Sequence, residues 1–553
     1  MEILIIGGGA AGLKAASRAR RKDAEASITV VDAGKYPSIG RCGLPYYVGG
    51  LVHEIDNLRE TTYGAVRDES YFKRLKDIDV LTLTMAVDID REKRTVKIVK
   101  QGGEEDELSY DYLVIATGAK PVKPPIEGID SEGVVTLFNP EDAEKIIEMW
   151  EEGAEKAVII GAGLIGLESA EALKNLDMEV TVIEMLDRVA PNLLDREIAA
   201  LVEQHLKEKG VQVMTNTRVE KILSEDGRVT GVIANGKEIP AEIVVVATGV
   251  KPNVELAEKA GLKIGETGAI WVNEYMQTSD ERIYAGGDCV ETTNLLTGRK
   301  VIAPFGDVAN KQGRVIGENI TGGREKFLGV YGTCVFKAFD FTVAGTGLNE
   351  TQAKEAGIDY ITVLAPGPDR AHYYPAAKYI RLKLIVEKGT WRVIGAQATG
   401  MGEVAKRIDV ISMAIQAGMT VDQLSSVDLA YAPPYSPALD PVITAANVAR
   451  NKRDGMFEGI TAFDVKEILE KDDVVLLDVR SDEEFRTKRI ESDKVLHIPL
   501  LELRERLGEV PKDKEIIIIC QLGLRSYEAA RILAGAGFER VKVMEGGMAF
   551  WFD

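Results

Sequence analysis

Cysteine and histidine are both scarce, with four of each in 553 residues. Cys42, Cys289, Cys334 and Cys520 lie far apart and form no C-x-x-C pair, which excludes a disulfide framework and a zinc site. Cys42 lacks even a local partner, because Pro37 and Tyr47 occupy the positions from which a C-x-x-x-x-C partner would come. Its oxidised form must then be a mixed disulfide with a small thiol, a persulfide or a sulfenic acid. Long apolar runs are also missing: none reaches the roughly 18 residues of a membrane helix. Met1 leads directly into Glu2-Ile3-Leu4-Ile5-Ile6, which leaves no room for a signal peptide. A cytoplasmic enzyme is the expectation. Basic charge is short, 68 Lys and Arg against 88 Asp and Glu for a net charge of −20. That balance argues against nucleic acid or an anionic membrane as partner. It also means that an anionic small ligand needs a local basic patch.

What is present is a repeated strand-turn-helix in a chain long enough for three or four domains at roughly 150 residues each. Ile3-Leu4-Ile5-Ile6 leads into Gly7-Gly8-Gly9-Ala10-Ala11-Gly12, a helix follows to about Asp23, and a strand from Ile28 ends at Asp32. Gly7, Gly9 and Gly12 have the G-x-G-x-x-G spacing. It allows a tight turn and close backbone approach to a pyrophosphate at the helix N-terminus, while Asp32 can accept from a ribose diol. A second copy runs from Ala157 through Gly161, Gly163 and Gly166 to Glu184. Two fingerprints mean two dinucleotides. Ala116-Thr117-Gly118 and Ala247-Thr248-Gly249 each end an apolar strand and mark crossings between the two domains. Asp288, after Gly286-Gly287, is suited to the ribityl hydroxyls of a flavin. The second domain therefore reads as inserted into the first, with FAD at the N-terminal site and a nicotinamide dinucleotide at the inserted one. Ala11, Val87, Thr117, Gly118 and Asp288 complete the expected flavin set, and Ile165 and Gly249 the nicotinamide set. Glu184 favours NADH, because a carboxylate repels the ribose phosphate of NADPH, although nearby Arg188 weakens that preference.

Lys14, Arg18 and Arg21 follow i, i+4, i+7 spacing on the first helix, with Arg20 and Lys22 adjacent. On so acidic a chain this stripe could hold a polyanionic thiol such as coenzyme A, the alternative being a solvated helix face. Arg41, beside Cys42, should help keep the thiol ionised. From about Phe327 the pattern changes to strand-like runs at Thr342 to Ala344, Tyr379 to Val386 and Trp391 to Ala398, then a helix from about Glu403 to Ala417. The stretch from Asp428 to Pro437 is a stiff proline-tyrosine loop. Its Tyr431 and Tyr435, with Tyr373 and Tyr374, are the candidate polar groups, each weighed against a structural role. Residues Asn451 to Glu458 read as a linker. The tail beyond carries a helix from Ala462 to Lys471, a strand from Val474 to Arg480, and a strand that ends in Cys520-Gln521-Leu522-Gly523-Leu524-Arg525. A cysteine there faces backbone N–H groups and a helix N-terminus, which stabilise a thiolate or a bound sulfane sulfur. Cys289 and Cys334 read as small core residues.

These residues carry a resemblance. Cys42-Gly43-Leu44-Pro45-Tyr46-Tyr47-Val48-Gly49-Gly50 and Tyr431-Ala432-Pro433-Pro434-Tyr435-Ser436 make residues 1 to about 450 similar to the single-cysteine branch of the pyridine nucleotide-disulfide oxidoreductases. That branch includes coenzyme A-disulfide reductases and NADH oxidases. Asp478-Val479-Arg480, the Cys520 to Arg525 loop and Glu545-Gly546-Gly547-Met548 resemble a rhodanese domain, although Arg489-Ile490-Glu491 departs from the usual glycine-histidine pattern. The fusion resembles NADH-dependent persulfide reductases. The resemblance implies a redox role for Cys42, assistance from Tyr374 and Tyr431, and sulfur carriage by Cys520 with Arg525. It also implies coenzyme A contacts from Asn310 and the basic helix, with Ser38, Arg41 and Lys73 in that set. Arg41 stands where the family commonly has asparagine. Related enzymes draw a histidine base from the third domain, but no histidine lies between His372 and His497.

The expected fold is α/β: two nested Rossmann-like domains, an α+β dimerisation domain and a small α/β rhodanese domain. The expected boundaries are residues 1–117 and 248–325 for FAD, 118–247 for NAD, 326–450 for dimerisation, 451–458 for the linker and 459–553 for rhodanese. The expected activity is FAD- and NADH-dependent reduction of a persulfide, polysulfide or coenzyme A persulfide by a homodimer. The rivals are a coenzyme A-disulfide reductase, an NADH oxidase cycling Cys42 through sulfenic acid, and a sulfur carrier or redox sensor without turnover.

Overall fold

The computed structural model describes residues 1–471 and 473–552. They form two compact units, one of residues 1–185 and 211–330, the other of residues 186–210 and 331–553.

In the first unit the apolar run Glu2–Ile6 is the central strand of a five-stranded parallel sheet, flanked by Ser27–Val31 and Tyr112–Ile115, then by Asp79–Leu81 and Ile283–Ala285. Such a sheet is buried on both faces, so its strands are apolar throughout instead of alternating; Ile5, Val30, Val114 and Ile115 are fully enclosed. A second parallel sheet repeats the plan with Lys156–Ile160 at its centre, between Glu179–Ile183 and Ile243–Val246, then Val211–Met214 and Val134–Val135. It is nested in sequence, because Ile283–Ala285 returns to pair with Tyr112–Ile115 of the first sheet. Each sheet is accompanied by a three-stranded antiparallel meander, at Thr84–Asp90, Thr95–Lys100 and Glu105–Ser109, and at Val219–Glu225, Arg228–Ala234 and Lys237–Pro240. The crossings between the sheets are tied at Thr117, whose Oγ1 donates to Asn253 O at 2.7 Å and whose carbonyl accepts from Asn253 Nδ2 at 2.9 Å. The helix Gly306–Ile320 lies tightly along the helix Ala10–Lys22: a Cβ at Gly313 would stand 2.3 Å from Ala11 O, and one at Gly317 2.5 Å from Ala15 O.

The second unit holds an antiparallel sheet in the order Cys334–Ala338, Phe341–Gly347, Val393–Gly400, Tyr379–Glu387, Tyr360–Pro368. The helix Arg196–Glu208 is anchored to it by a buried charge cluster. Lys383 Nζ lies 2.6 Å from Glu197 Oε2 and 3.2 Å from Asp195 Oδ2, and also pairs with Glu350. Burial alone would discharge Lys383, but the three carboxylates outweigh it and raise its pKa. The tail is a five-stranded parallel sheet in the order Glu458–Ile460, Val541–Met544, Glu515–Ile519, Val474–Asp478, Val495–His497.

The expected linker at 451–458 is corrected here. The helix Pro441–Arg453 runs into it, and Glu458 already belongs to a strand. Arg450, Lys452 and Arg453 suit the negative end of that helix. Lys452 Nζ reaches Glu545 Oε1 at 2.6 Å and Thr362 O at 2.8 Å, so a polar stretch that reads as flexible is a fixed joint. The tail helix starts at Ala462 as expected but ends at Ile468. Among the described residues no helix is long and apolar enough to cross a membrane, and no cluster of His, Cys, Asp and Glu could hold a metal ion.

Candidate active site

Both glycine turns end in helices left open at the N-terminus. Gly9 caps Ala10–Lys22 and Gly163 caps Leu164–Asn175, with no side-chain cap and no acid in either first turn. A Cβ on Gly9 or Gly163 would meet nothing within 4 Å. Unsatisfied N–H groups, positive helix ends and free space together fit a pyrophosphate, so the structure suits a dinucleotide at each turn. The acids are placed alike. Asp32 accepts from Gly8 N and Gly34 N, both at 2.7 Å, and Glu184 accepts from Ala162 N at 2.8 Å. Arg188 commits its donors to Leu194 O at 2.8 Å, Pro191 O at 3.4 Å and Asp187 at 2.7 Å. Close packing of the glycines shows at Gly12 and Gly166, whose Cβ atoms would collide with Gly7 O and Gly161 O. Ala11 Cβ lies 3.2 Å from the position of a Cβ on Gly287, one residue before Asp288. Burial raises the Asp288 pKa, and Arg41 opposes the rise. Val87 is the irregular residue between Ala86 and Asp88 in its ladder, and its carbonyl accepts from Lys259 Nζ at 3.1 Å. Gly118 and Gly249 follow the two crossings with φ of 66° and 103°. Ile165 is in the first turn of its helix and exposed.

Cys42 lies in the short 3-10 turn Arg41–Gly43, which runs into the helix Leu44–Val48 with Pro45 in its first turn. All four cysteines are free, and Cys42 is the exposed one. Protein crowded around its thiol, then the charges of Glu168 and Asp288, raise its pKa. The expectation that Arg41 would help to ionise it is therefore overturned: the Arg41 guanidinium is stacked 4.6 Å from the centre of the Phe138 ring. Two residues that the sequence reading passed over stand beside the thiol. Tyr46 Oη donates to Glu168 Oε1 at 3.2 Å. Burial pushes Glu168 up to about 7, and burial together with Glu168 pushes Tyr46 up to about 12. Glu168 sits just beyond Gly166 on the same helix, so the fingerprint carried far enough to find it.

The basic stripe is also redrawn. Glu318 on the neighbouring helix takes Arg18, with Nε at 2.8 Å, and Lys22 at 3.0 Å. Lys73 pairs with Asp77 and Asp79, each at 3.0 Å, and Arg20 donates to Lys76 O, Ala24 O and Asp77 O. Arg18 is thus neutralised by an acid on another helix, and Lys73 by Asp77 four residues on and by Asp79. The positive cluster that the fold assembles is Lys14, Arg21, Arg67 and Lys76. Burial, then Arg21, Arg67 and Lys14, push Lys76 down to about 8, the mark of crowded cations. Arg67 Nη1 lies 3.5 Å from Ser38 Oγ. Asn310 is exposed and donates to Gly306 O of its own helix at 2.7 Å.

In the second unit two loops present Tyr374 and Tyr431, 37% and 54% exposed. They are braced together: Ala371 N donates to Pro433 O at 3.2 Å, and the buried Arg407 donates to Asp369 O at 2.6 Å and to Asp440 Oδ2 at 2.9 Å. Cys520 follows the strand Glu515–Ile519 and is 1% exposed. Its Sγ accepts from Gly523 N at 3.0 Å. The loop is backed by Gly547, with φ of 60°, where a Cβ would stand 2.3 Å from Cys520 O; this allows Met548 N to donate to Cys520 O at 2.8 Å. Arg525 is held by both oxygens of Glu484 at 2.7 Å, and Arg525 holds the Glu484 pKa down at about 2. Asp478 and Arg480 form a buried pair at 2.7 Å. Cys289 is core; Cys334 is half-buried at a strand start, and burial lifts its pKa to about 11.

The pyridine nucleotide-disulphide oxidoreductase model matches residues 1–313, its dimerisation domain 333–442 and a rhodanese-like domain 461–553. The chain belongs to the pyridine nucleotide-disulphide oxidoreductase family. It is an oxidoreductase with a rhodanese domain, and the family implies FAD and NAD(P)H. Over its whole length it is 75% identical to a structure described as a NAD-dependent persulfide reductase from A. fulgidus, with a TM-score of 0.97 and full coverage of both chains. The reduced CoADR-RHD of Bacillus anthracis is 38% identical, with a TM-score of 0.91, covering 99% of this chain and 97% of that one. The Pyrococcus furiosus NAD(P)H sulfur oxidoreductase (CoA-dependent) is 42% identical over 81% of this chain and 99% of its own length. A Methanocaldococcus jannaschii NADH oxidase is 41% identical over 82% and 99%.

Proposed function

We propose that this chain is a cytoplasmic, homodimeric, NADH-driven reductase of sulfane sulfur that acts on persulfides, polysulfides or coenzyme A persulfide. The observation that carries the reading is the exposed, unpartnered Cys42 in the same unit as two open glycine-turn helices. A flavin at the first turn, when bound, supplies two-electron transfer between NADH and sulfur. Gly7, Gly9, Ala11, Gly12, Asp32, Val87, Thr117, Gly118 and Asp288 hold it, and Gly161, Gly163, Ile165, Gly166, Glu184 and Gly249 hold the nicotinamide dinucleotide. Cys42 attacks an incoming persulfide RSSH at the sulfur bonded to R, forming a Cys42–S–S–R mixed disulfide as HS⁻ leaves. Two electrons and two protons would then return the Cys42 thiol and RSH. The Glu168–Tyr46 pair keeps a proton beside the thiol at neutral pH, and Tyr374 and Tyr431 stabilise the leaving thiolate, the role histidine takes in related enzymes. Lys14, Arg21, Arg67 and Lys76, with Ser38, hold the phosphates of coenzyme A. Cys520 receives sulfane sulfur and presents it for reduction, Arg525 ordering its loop. Comparing NADH turnover on coenzyme A persulfide, coenzyme A disulfide and oxygen tests the reading. Faster turnover on the disulfide, or oxygen consumption with no sulfur acceptor, would sink it in favour of a disulfide reductase or an oxidase.

A further inference from the structure

Within the second unit a cavity of about 530 Å³ lies against the loop that follows Cys520. Gln521 and Leu522 line it, together with Arg381 on the strand Tyr379–Glu387 and His205 on the helix Arg196–Glu208. Lys488 and Glu208 complete its charged lining. The volume is that of a site for an organic molecule, well beyond a single oxyanion. Arg381 is the odd group in it. Its Nε is buried with no hydrogen-bond partner among the described residues, and so is His205 Nδ1. Burial holds the Arg381 pKa down, with only Glu208 opposing. Folded proteins pair nearly all buried polar groups, and a buried N–H left without an acceptor is costly. The unpaired Nε offers a donor to an anion other than Glu208.

We infer that this cavity is the donor subsite of the rhodanese domain, taking a low-molecular-weight persulfide whose carboxylate or phosphate pairs with Arg381 while its sulfur end meets the 520–523 loop. The inference rests on the sulfur-carrier role given to Cys520 above. In the transfer the Cys520 thiolate attacks the terminal sulfur of RS–SH. The new Sγ–S bond forms as the donor S–S bond breaks, its electron pair leaves on RS⁻, and Cys520–S–SH keeps the proton, with no net oxidation. The subsite gives the unpaired Arg381 Nε a function: it selects donors by charge.

The test uses the full-length holoprotein. Calorimetry with the unreactive S-methylglutathione should show binding to the parent, weakened roughly tenfold in Arg381→Gln, the worth of one charged hydrogen bond, and largely restored in Arg381→Lys. Mass spectrometry of Cys520 should show glutathione persulfide needing about tenfold more donor in Arg381→Gln, with cysteamine persulfide, which carries no acid, unchanged. Met401→Trp, which adds bulk at another lining residue, should reproduce the loss. NADH bleaching of the flavin should be unaltered in all three variants. No binding of S-methylglutathione to the parent, or equal slowing of acidic and cationic donors, overturns the subsite. Binding without any persulfide on Cys520 leaves the subsite standing and removes the carrier role instead.

Discussion

Cys42 and Cys520 are the same side chain in opposite settings. Cys42 is exposed, flanked by carboxylates, and its thiol is harder to ionise than usual. Cys520 is enclosed, with a backbone N–H aimed at its sulfur and Arg525 in the first turn of the helix that follows. The first arrangement suits a sulfur that must release its cargo and be protonated at each cycle. The second suits one that must hold an anionic persulfide. Reactivity here follows from the neighbours and not from the number of thiols, which is why a chain with four cysteines needs no disulfide.

The comparison breaks most completely at the thiols. Cys42→Ser should abolish NADH-driven sulfide release while NADH still bleaches the flavin, as stopped-flow absorbance and a sulfide electrode would show. Sulfide release at the parental rate would refute its role. Cys520→Ser should abolish sulfur transfer from thiosulfate and spare reduction of small soluble persulfides, read by paired assays. Next in size, Gly547→Ala places a Cβ against Cys520 O at a left-handed φ and should cost about 1–3 kcal/mol, seen as a lowered melting temperature together with slower sulfur transfer. Glu168→Gln sharpens the contrast through pH. The Glu168 pKa is raised to about 7 from an ordinary value near 4.5, so between those values the folded protein binds more protons than the unfolded chain. Its contribution to stability therefore falls as pH rises from about 4.5 to 7 and is level above. Denaturant titrations at pH 5 and 8 should show the parent losing ~1–2 kcal/mol more than Glu168→Gln, after allowance for partial exposure. The smallest effect is expected of Glu184→Gln, a few-fold rise in the ratio of NADPH to NADH use, read from kcat/KM for each.

The glycine turns, the nested sheets and the tail were legible because each depends on residues adjacent in sequence. A strand, a turn and a helix end need no distant partner to be recognised. The basic cluster was not, because its membership is decided across elements. Glu318 lies on another helix and removes Arg18, while Arg67 and Lys76 come from a loop and a helix that no spacing links to Lys14. Arg41 was misread for the same reason: adjacency to Cys42 in sequence says nothing of Phe138, the ring that takes its guanidinium. The joint at 451–458 was misread because polarity looks alike in a flexible linker and in a helix end whose lysine has a buried carboxylate to reach. The meander strands went unseen, since short alternating runs at an exposed surface carry little signal.

Lys452, held by Glu545 and by Thr362 O, denies the tail a hinge where it joins the dimerisation sheet. In the role proposed for Cys520, a sulfur atom held there is not carried by swivelling the tail about that joint without stripping the Lys452–Glu545 pair. In that role, sulfur leaves by exchange with a thiol that comes to the loop, not by a swing of the tail about this joint.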